Sequence, residues 1–295
     1  MYDCADFFLF YVPFGFPLFM KKLCFILFAL LAFCVQGQHF EGEYGNTPVR
    51  MSEKMPLDTS YIECIYSYRI YDPVKNEDQE TYQILEIGKN KSKFASYGYY
   101  RIDSIIDREY PNGLTLAQYG KLSIANKPKP GAVIKDLKSG TLEFIGHIFM
   151  DSYIYEETIP DIKWRLTNET QEICGYNCNK ATATFRGRNW TAWYCDLPIS
   201  NGPWKFGNLP GLILKIEDDD HEHIFEAISI RKSKNIFSLH KRNYLKTTRE
   251  RYDKSLADFK LHPGDFISGT PVLLKSKDGK PIPNNRLFFN PIEKE

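Results

Sequence analysis

The sequence predicts a mainly β protein. It reads as a single-domain twisted antiparallel sheet, with a half-barrel as one shape it could take, a C-terminal covering helix and short helical pieces. Three observations carry this. Runs of β-branched and aromatic residues recur along the chain, each bounded by Gly, Asp, Asn or Pro. Residues 181–194 read as a hairpin, and one well-marked helix start lies near the end. The composition, 43% hydrophobic and 15% aromatic against 25% charged, supplies a core and excludes a disordered or collagen-like chain. A net charge of +1 gives no electrostatic footprint for nucleic acid.

Taken in order, residues 38–58 are polar and glycine-containing, a loosely ordered lead-in. Tyr61 to Tyr71 gives a strand signal, as does Thr81 to Ile87, and Gly88-Lys89-Asn90 turns into Ser92–Tyr97. Residues 99–124 suggest irregular helical pieces before Lys127-Pro128-Lys129-Pro130-Gly131 forces a loop. Thr141–His147, Ser152–Thr158 and Ile162–Thr167 follow as short strands. In the next hairpin, a two-residue loop at Gly187-Arg188 would set Phe185 opposite Trp190 and Thr182 opposite Trp193. Cys195 would then face Lys180. Residues 212–216 and 224–230 form a later hairpin. Thr247 with Glu250 predicts a capping box, and Tyr252, Leu256 and Phe259 fall at helical spacing until His262-Pro263-Gly264 stops the helix. No linker divides the chain.

Residues 1–37 differ from the rest. Met20-Lys21-Lys22, the apolar run Leu23–Val35 and the small residue Gly37 before Gln38 match a secretory signal peptide. Translation is expected to begin at Met20, with 1–19 an upstream extension, 20–37 the leader and 38–295 one domain. Pro13, Gly15 and Pro17 interrupt the longer apolar stretch, so no permanent transmembrane span is expected. Phe33 before Cys34 does not suit lipid attachment. The expected location is the periplasm or the periplasmic face of the outer membrane, or outside the cell. Four cysteines, Cys64, Cys174, Cys178 and Cys195, would remain as disulfide candidates with pairing open.

Residues 201–213 read Asn-Gly-Pro-Trp-Lys-Phe-Gly-Asn-Leu-Pro-Gly-Leu-Ile. Gly202-Pro203 and Leu209-Pro210-Gly211 exclude helix and central strand, and Leu209-Pro210-Gly211-Leu212 suits a type II turn. Upstream stand Gly175-Tyr176-Asn177-Cys178-Asn179-Lys180-Ala181, Phe185-Arg186-Gly187-Arg188 and Trp193-Tyr194; Asn290-Pro291-Ile292-Glu293 lies near the end. This pattern resembles the GLPGLI family of exported Bacteroidota proteins. The first glycine of that hexapeptide is Asn208 here, and asparagine tolerates left-handed backbone. The resemblance implies an address and a fold but no established activity.

Two readings of the loop compete. In one it is a fold-specifying corner with Trp204 and Phe206 in the core. In the other Arg186, Arg188, Trp190, Trp193, Trp204 and Asn208 border a surface for peptide, carboxylate or sugar. Asp218, His221 and His223 are ligand types for a metal but sit at a hairpin turn, where acidic residues are ordinarily solvated. Ser104, in Asp103-Ser104-Ile105, is similar to a Bacteroidota O-glycosylation acceptor; otherwise it is a helix-start serine. No nucleophile, phosphate-loop or dinucleotide motif is present, and no cofactor is expected. The expectation is therefore an exported binding or accessory protein, its partner an envelope protein, a peptide or an apolar small ligand. A hydrolase, metal-assisted through Asp218–His223, and a purely structural envelope protein are the alternatives.

Overall fold

A long strand, β1 (Lys54–Asp72), lies at the middle of the sheet. The computed structural model describes residues 9–10, 45–73, 75–268, 274–275 and 287–294. Apart from Leu9–Phe10, which pairs with Leu274–Lys275, the expected leader with Cys4, Cys24 and Cys34 lies outside the described residues. After β1 come β2 (Glu77–Gly88), β3 (Lys91–Ser96), α1 (Tyr97–Glu109) and α2 (Leu116–Asn126). Next are β4 (Ala132–Asp136), β5 (Thr141–Ile148), β6 (Asp151–Thr158), β7 (Arg165–Ile173), β8 (Tyr176–Phe185) and β9 (Arg188–Cys195). The chain continues through β10 (Ile213–Asp218), β11 (His223–Lys232), β12 (Ile236–His240) and β13 (Leu245–Lys246). Helices α3 (Arg249–Leu261) and α4 (Pro263–Ser268) follow.

The protein is mainly β, and its main sheet is open and twisted. The order is β13-β6-β5-β4-β3-β2-β1-β11-β10-β9-β8-β7, antiparallel except where β13 joins β6. Irregular register at Ser60–Ile62 bends β1, whose early residues pair with β12 and whose later ones pair with β11. Residues from β1 to β5 and from β8 to β11 join one contiguous core, so the sheet curls around it. Tyr66 Oη, buried there, donates to Ile213 O at 2.7 Å. Among the described residues, no helix is long and apolar enough to cross a membrane.

The C-terminal helix covers the sheet through the expected stripe. Tyr252, Leu256 and Phe259 pack with Ile148 and Tyr155. Its cap is Thr248 rather than Thr247, with Thr248 Oγ1 accepting from Arg251 N. The helical pieces between 99 and 124 are two regular helices, one started by a Thr115–Gln118 capping box. The strand expected at 162–167 begins at Arg165 and runs to Ile173.

The signature segment departs from expectation in two details. The β8–β9 turn is Arg186-Gly187, with φ of 51° and 72°, which is the geometry of a type I′ hairpin. Arg188 therefore opposes Phe185, Trp190 opposes Ala183, Trp193 opposes Lys180, and Cys195 opposes Cys178. The pairing slides by two residues, which preserves the face of every side chain. Gly211 is not left-handed, so the type II turn does not form. Its reason is contact: a Cβ there would lie 1.7 Å from the Cys195 carbonyl oxygen. Asn208, at φ 65°, does take the left-handed conformation.

Gly211→Ala should therefore destabilise the fold by more than ~2 kcal/mol, because backbone rather than a flexible side chain must give way. Thermal or denaturant melting reads this out; a variant within ~0.5 kcal/mol of the parent would contradict it.

Candidate functional site: a cleft beneath the first helix

The signature corner is interior. Residues 201–207 are all buried, and Phe206 stacks edgewise against Trp190 with ring centroids 4.6 Å apart. Trp204 is buried, at φ 49°. Three buried cations organise this corner. Lys135 donates to Asn201 Oδ1, Gly202 O and Phe206 O, and burial pushes its ammonium down to about 7. Lys205 pairs with Glu157 and Glu293, each at 2.6 Å, and donates to Tyr155 Oη at 3.0 Å.

Arg188 has all five donors engaged. Nη1 reaches Asp218 Oδ2 and Glu222 Oε2, both at 2.6 Å; Nη2 reaches Asn290 Oδ1 and Pro291 O, both at 2.8 Å; Nε reaches Ile292 O at 3.0 Å. Arg186 pairs with Glu157 at 3.2 Å, and Trp193 receives Lys180 over its ring. Of the six residues read as a binding border, Arg188, Trp190 and Trp204 are thus buried parts of the core. Asn208 is exposed, and Arg186 and Trp193 are half-buried.

The acidic turn is explained by the same cation. Carboxylates of Asp218, Asp220 and Glu222 approach within 4.8 Å of one another, but Asp218 and Glu222 hold Arg188. His221 is exposed beside Glu217, whereas His223 is buried with Nδ1 2.8 Å from Tyr68 Oη. Asp218, His221 and His223 therefore do not converge as a ligand set. Cys64, Cys178 and Cys195 are buried free thiols, and Cys174 is an exposed one.

A cleft of about 650 Å³ lies on the other side of the strands that build this core. Its floor is Ile84 and Glu86 of β2, Ala95 of β3 and Ile145 of β5; α1 gives Tyr99, Tyr100 and Asp103; the 235–244 stretch gives Phe237, His240, Arg242 and Tyr244. Alternation of side chains puts Leu85, Phe94 and Val133 in the core and their neighbours Glu86, Ala95 and Ala132 in the cleft. Gly98 lets α1 sit close to the α2 end, where a Cβ would meet Asn126 O at 2.3 Å.

The polar groups of the cleft are ordered. Glu86 is buried against Lys93 at 2.8 Å; desolvation raises its carboxyl and the ammonium opposes that rise. His240 bridges two elements, with Nε2 2.8 Å from Asp103 Oδ2 and Nδ1 3.0 Å from Ser52 Oγ. His147 is pushed down to about 4 by burial and by the positive charge of Arg242, so it is neutral at pH 7. Arg242 is exposed and forms no ion pair among the described residues, though its charge also acts on Tyr99 and Tyr244. Ser104 is exposed on the middle of α1 at this cleft, not at the helix start. Of the candidate site residues the sequence singles out, Ser104 alone lines this cleft; the other lining residues come from separate elements with no shared motif.

The family described as N-glycanase peptide, N-terminal domain, matches residues 150–255. Two solved structures of PNGF-II, in C2 and P21 space groups, align at 16% and 17% identity, each with a TM-score of 0.46. They cover 68% and 69% of this chain, while the chain spans about a third of theirs, 33% and 34%. No curated protein matches the chain.

Burial, and then Arg188, holds the His223 imidazole down to about 4. Below pH 6.5 the unfolded chain takes up a proton that the folded chain refuses until about pH 4, so stability falls as pH drops through that window. Melting temperature measured from pH 7 to pH 4 should fall less steeply in His223→Gln. An unchanged slope would contradict a buried neutral imidazole.

Proposed function

We propose that the chain is an exported binding or accessory protein of the GLPGLI kind, acting at the cell envelope, with its ligand held in the α1 cleft. The cleft carries this reading. Its volume of about 650 Å³ falls in the range of small-ligand sites, and tyrosine rings alternate there with fixed polar groups. That mixture suits a polyhydroxylated or peptide ligand better than a purely apolar one. Stacking surface comes from Tyr99 and Tyr100, and directional hydrogen bonding from Asp103, His240, Asn235 and Arg242. The 235–244 wall falls within the stretch that matches the N-glycanase N-terminal domain family, which supports a glycan or a glycan-bearing peptide as the first ligand to test.

The second reading is an envelope hydrolase, moved from the acidic turn to this cleft. With the proton on Nε2 held by Asp103, His240 Nδ1 would accept from Ser52 Oγ, an acid–base–hydroxyl order on three separate elements. The ring nitrogens are used in the reverse sense from the familiar serine triad, and Ser52 does not itself line the cleft.

Calorimetric titration with N-glycans and glycopeptides separates the readings. Tyr99→Ala and Arg242→Ala should each weaken binding by ~10-fold or more at unchanged melting temperature, a loss of about 1.4 kcal/mol. Consumption of the ligand that ceases in Ser52→Ala would favour the hydrolase. Binding indifferent to both cleft variants would overturn the assignment of the site.

A further inference from the structure

We propose that Cys178 and Cys195 are the partners of a cross-strand disulfide that closes the β8–β9 hairpin whenever the chain folds in contact with a thiol oxidant. The two residues are direct partners in an uninterrupted antiparallel ladder that runs from Arg188–Phe185 to Cys195–Cys178. In a two-residue hairpin the pair next to the turn exchanges both backbone hydrogen bonds, and the pairs then alternate. Counting back from Phe185–Arg188, Cys178–Cys195 falls on a pair without backbone bonds. Such pairs bring their Cα atoms to about 4.5 Å, inside the span a disulfide bridges. Both side chains are fully buried on the core face, so they lie on the same side of the sheet.

The other cysteines are less well placed. Cys64 reaches the same core from β1, near enough for Cys174 and Cys195 to act on its thiol, but β11 and β10 separate β1 from β9 in the sheet; Cys174 is an exposed residue in the β7–β8 turn. Neither is a register partner of another cysteine. Burial raises the Cys178 thiol to about 12, and the neighbouring Cys195 raises it further in the same direction. Both thiols therefore stay protonated in the closed fold, and the exchange belongs to the forming or opened hairpin.

The chemistry needs a disulfide donor, taken here as a protein or small-molecule disulfide. One cysteine thiolate attacks the donor disulfide, forming a mixed disulfide and releasing one donor thiolate. The second cysteine thiolate attacks the protein-side sulfur, forming Cys178–Cys195 and releasing the other donor thiolate. The two cysteines lose two electrons and two protons, and the donor disulfide is reduced to its two thiols. The pairing itself does not depend on the proposed export, which concerns only where an oxidant is met.

The test uses the full chain, reduced, unfolded and refolded in oxidised and reduced glutathione, then trapped by alkylation and mapped by peptide mass. The expected product is a Cys178–Cys195 linked peptide, with a melting temperature roughly 5–10 °C above that of the reduced chain. The Cys178→Ser/Cys195→Ser variant should melt independently of reductant, and should it fail to fold, the peptide map of the parent chain still decides. Glutathione adducts on Cys178 or Cys195 without the link, or a bridge from either to Cys64 or Cys174, would overturn the proposal. Mass analysis of the chain from its native cells reads the export proposal separately. A link that forms in glutathione but is absent there would contradict export and leave the pairing supported.

Discussion

The Arg188 guanidinium is the interaction on which the signature region depends. It is buried at the start of β9, and taking a charge out of water costs several kcal/mol unless every donor finds a partner. Its partners come from the β10 end, the following turn, and residues 290–292, where the Asn290 side chain and the Pro291 and Ile292 carbonyls accept. Satisfying one cation therefore fixes three chain segments relative to one another. Glu293 extends the clasp by meeting Lys205 at 2.6 Å and Arg249 at 3.2 Å, which ties the corner to α3. Asp253, beside this cluster, is raised to about 6 by burial and by the charge of Glu293.

This arrangement divides the protein by face. One side of the curled sheet is closed by the 201–212 corner, which packs aromatic rings and buried basic side chains against the core. The opposite side of β2, β3, β4 and β5 lies under α1 and keeps an open cleft. Strand alternation produces the division, since neighbouring residues on one strand serve the core and the cleft in turn.

What can be read from the sequence follows the range of each interaction. Strands such as 81–87 and 141–147 are visible because their signals are local, and the covering stripe Tyr252, Leu256, Phe259 is visible as a period. The hairpin register escapes a linear reading because two neighbouring two-residue loops are possible around Arg186-Gly187-Arg188. Choosing between them requires both turn residues to take positive φ. Arg186 and Arg188 look alike in the linear motif; only the distant Asp218 and Asn290 show that one is interior. The cleft is invisible for the same reason: Asp103 and His240 meet across a separation of 137 residues in the chain.

The central claim is that residues 290–293 are a structural part of the corner. Hydrogen exchange of a chain ending at Phe289, compared with the full chain, tests it most directly. The amides of 201–214 and of the Arg188 end of β9 should lose protection together, while those of β2 and β3 keep theirs. Undiminished protection at 201–214 would contradict it.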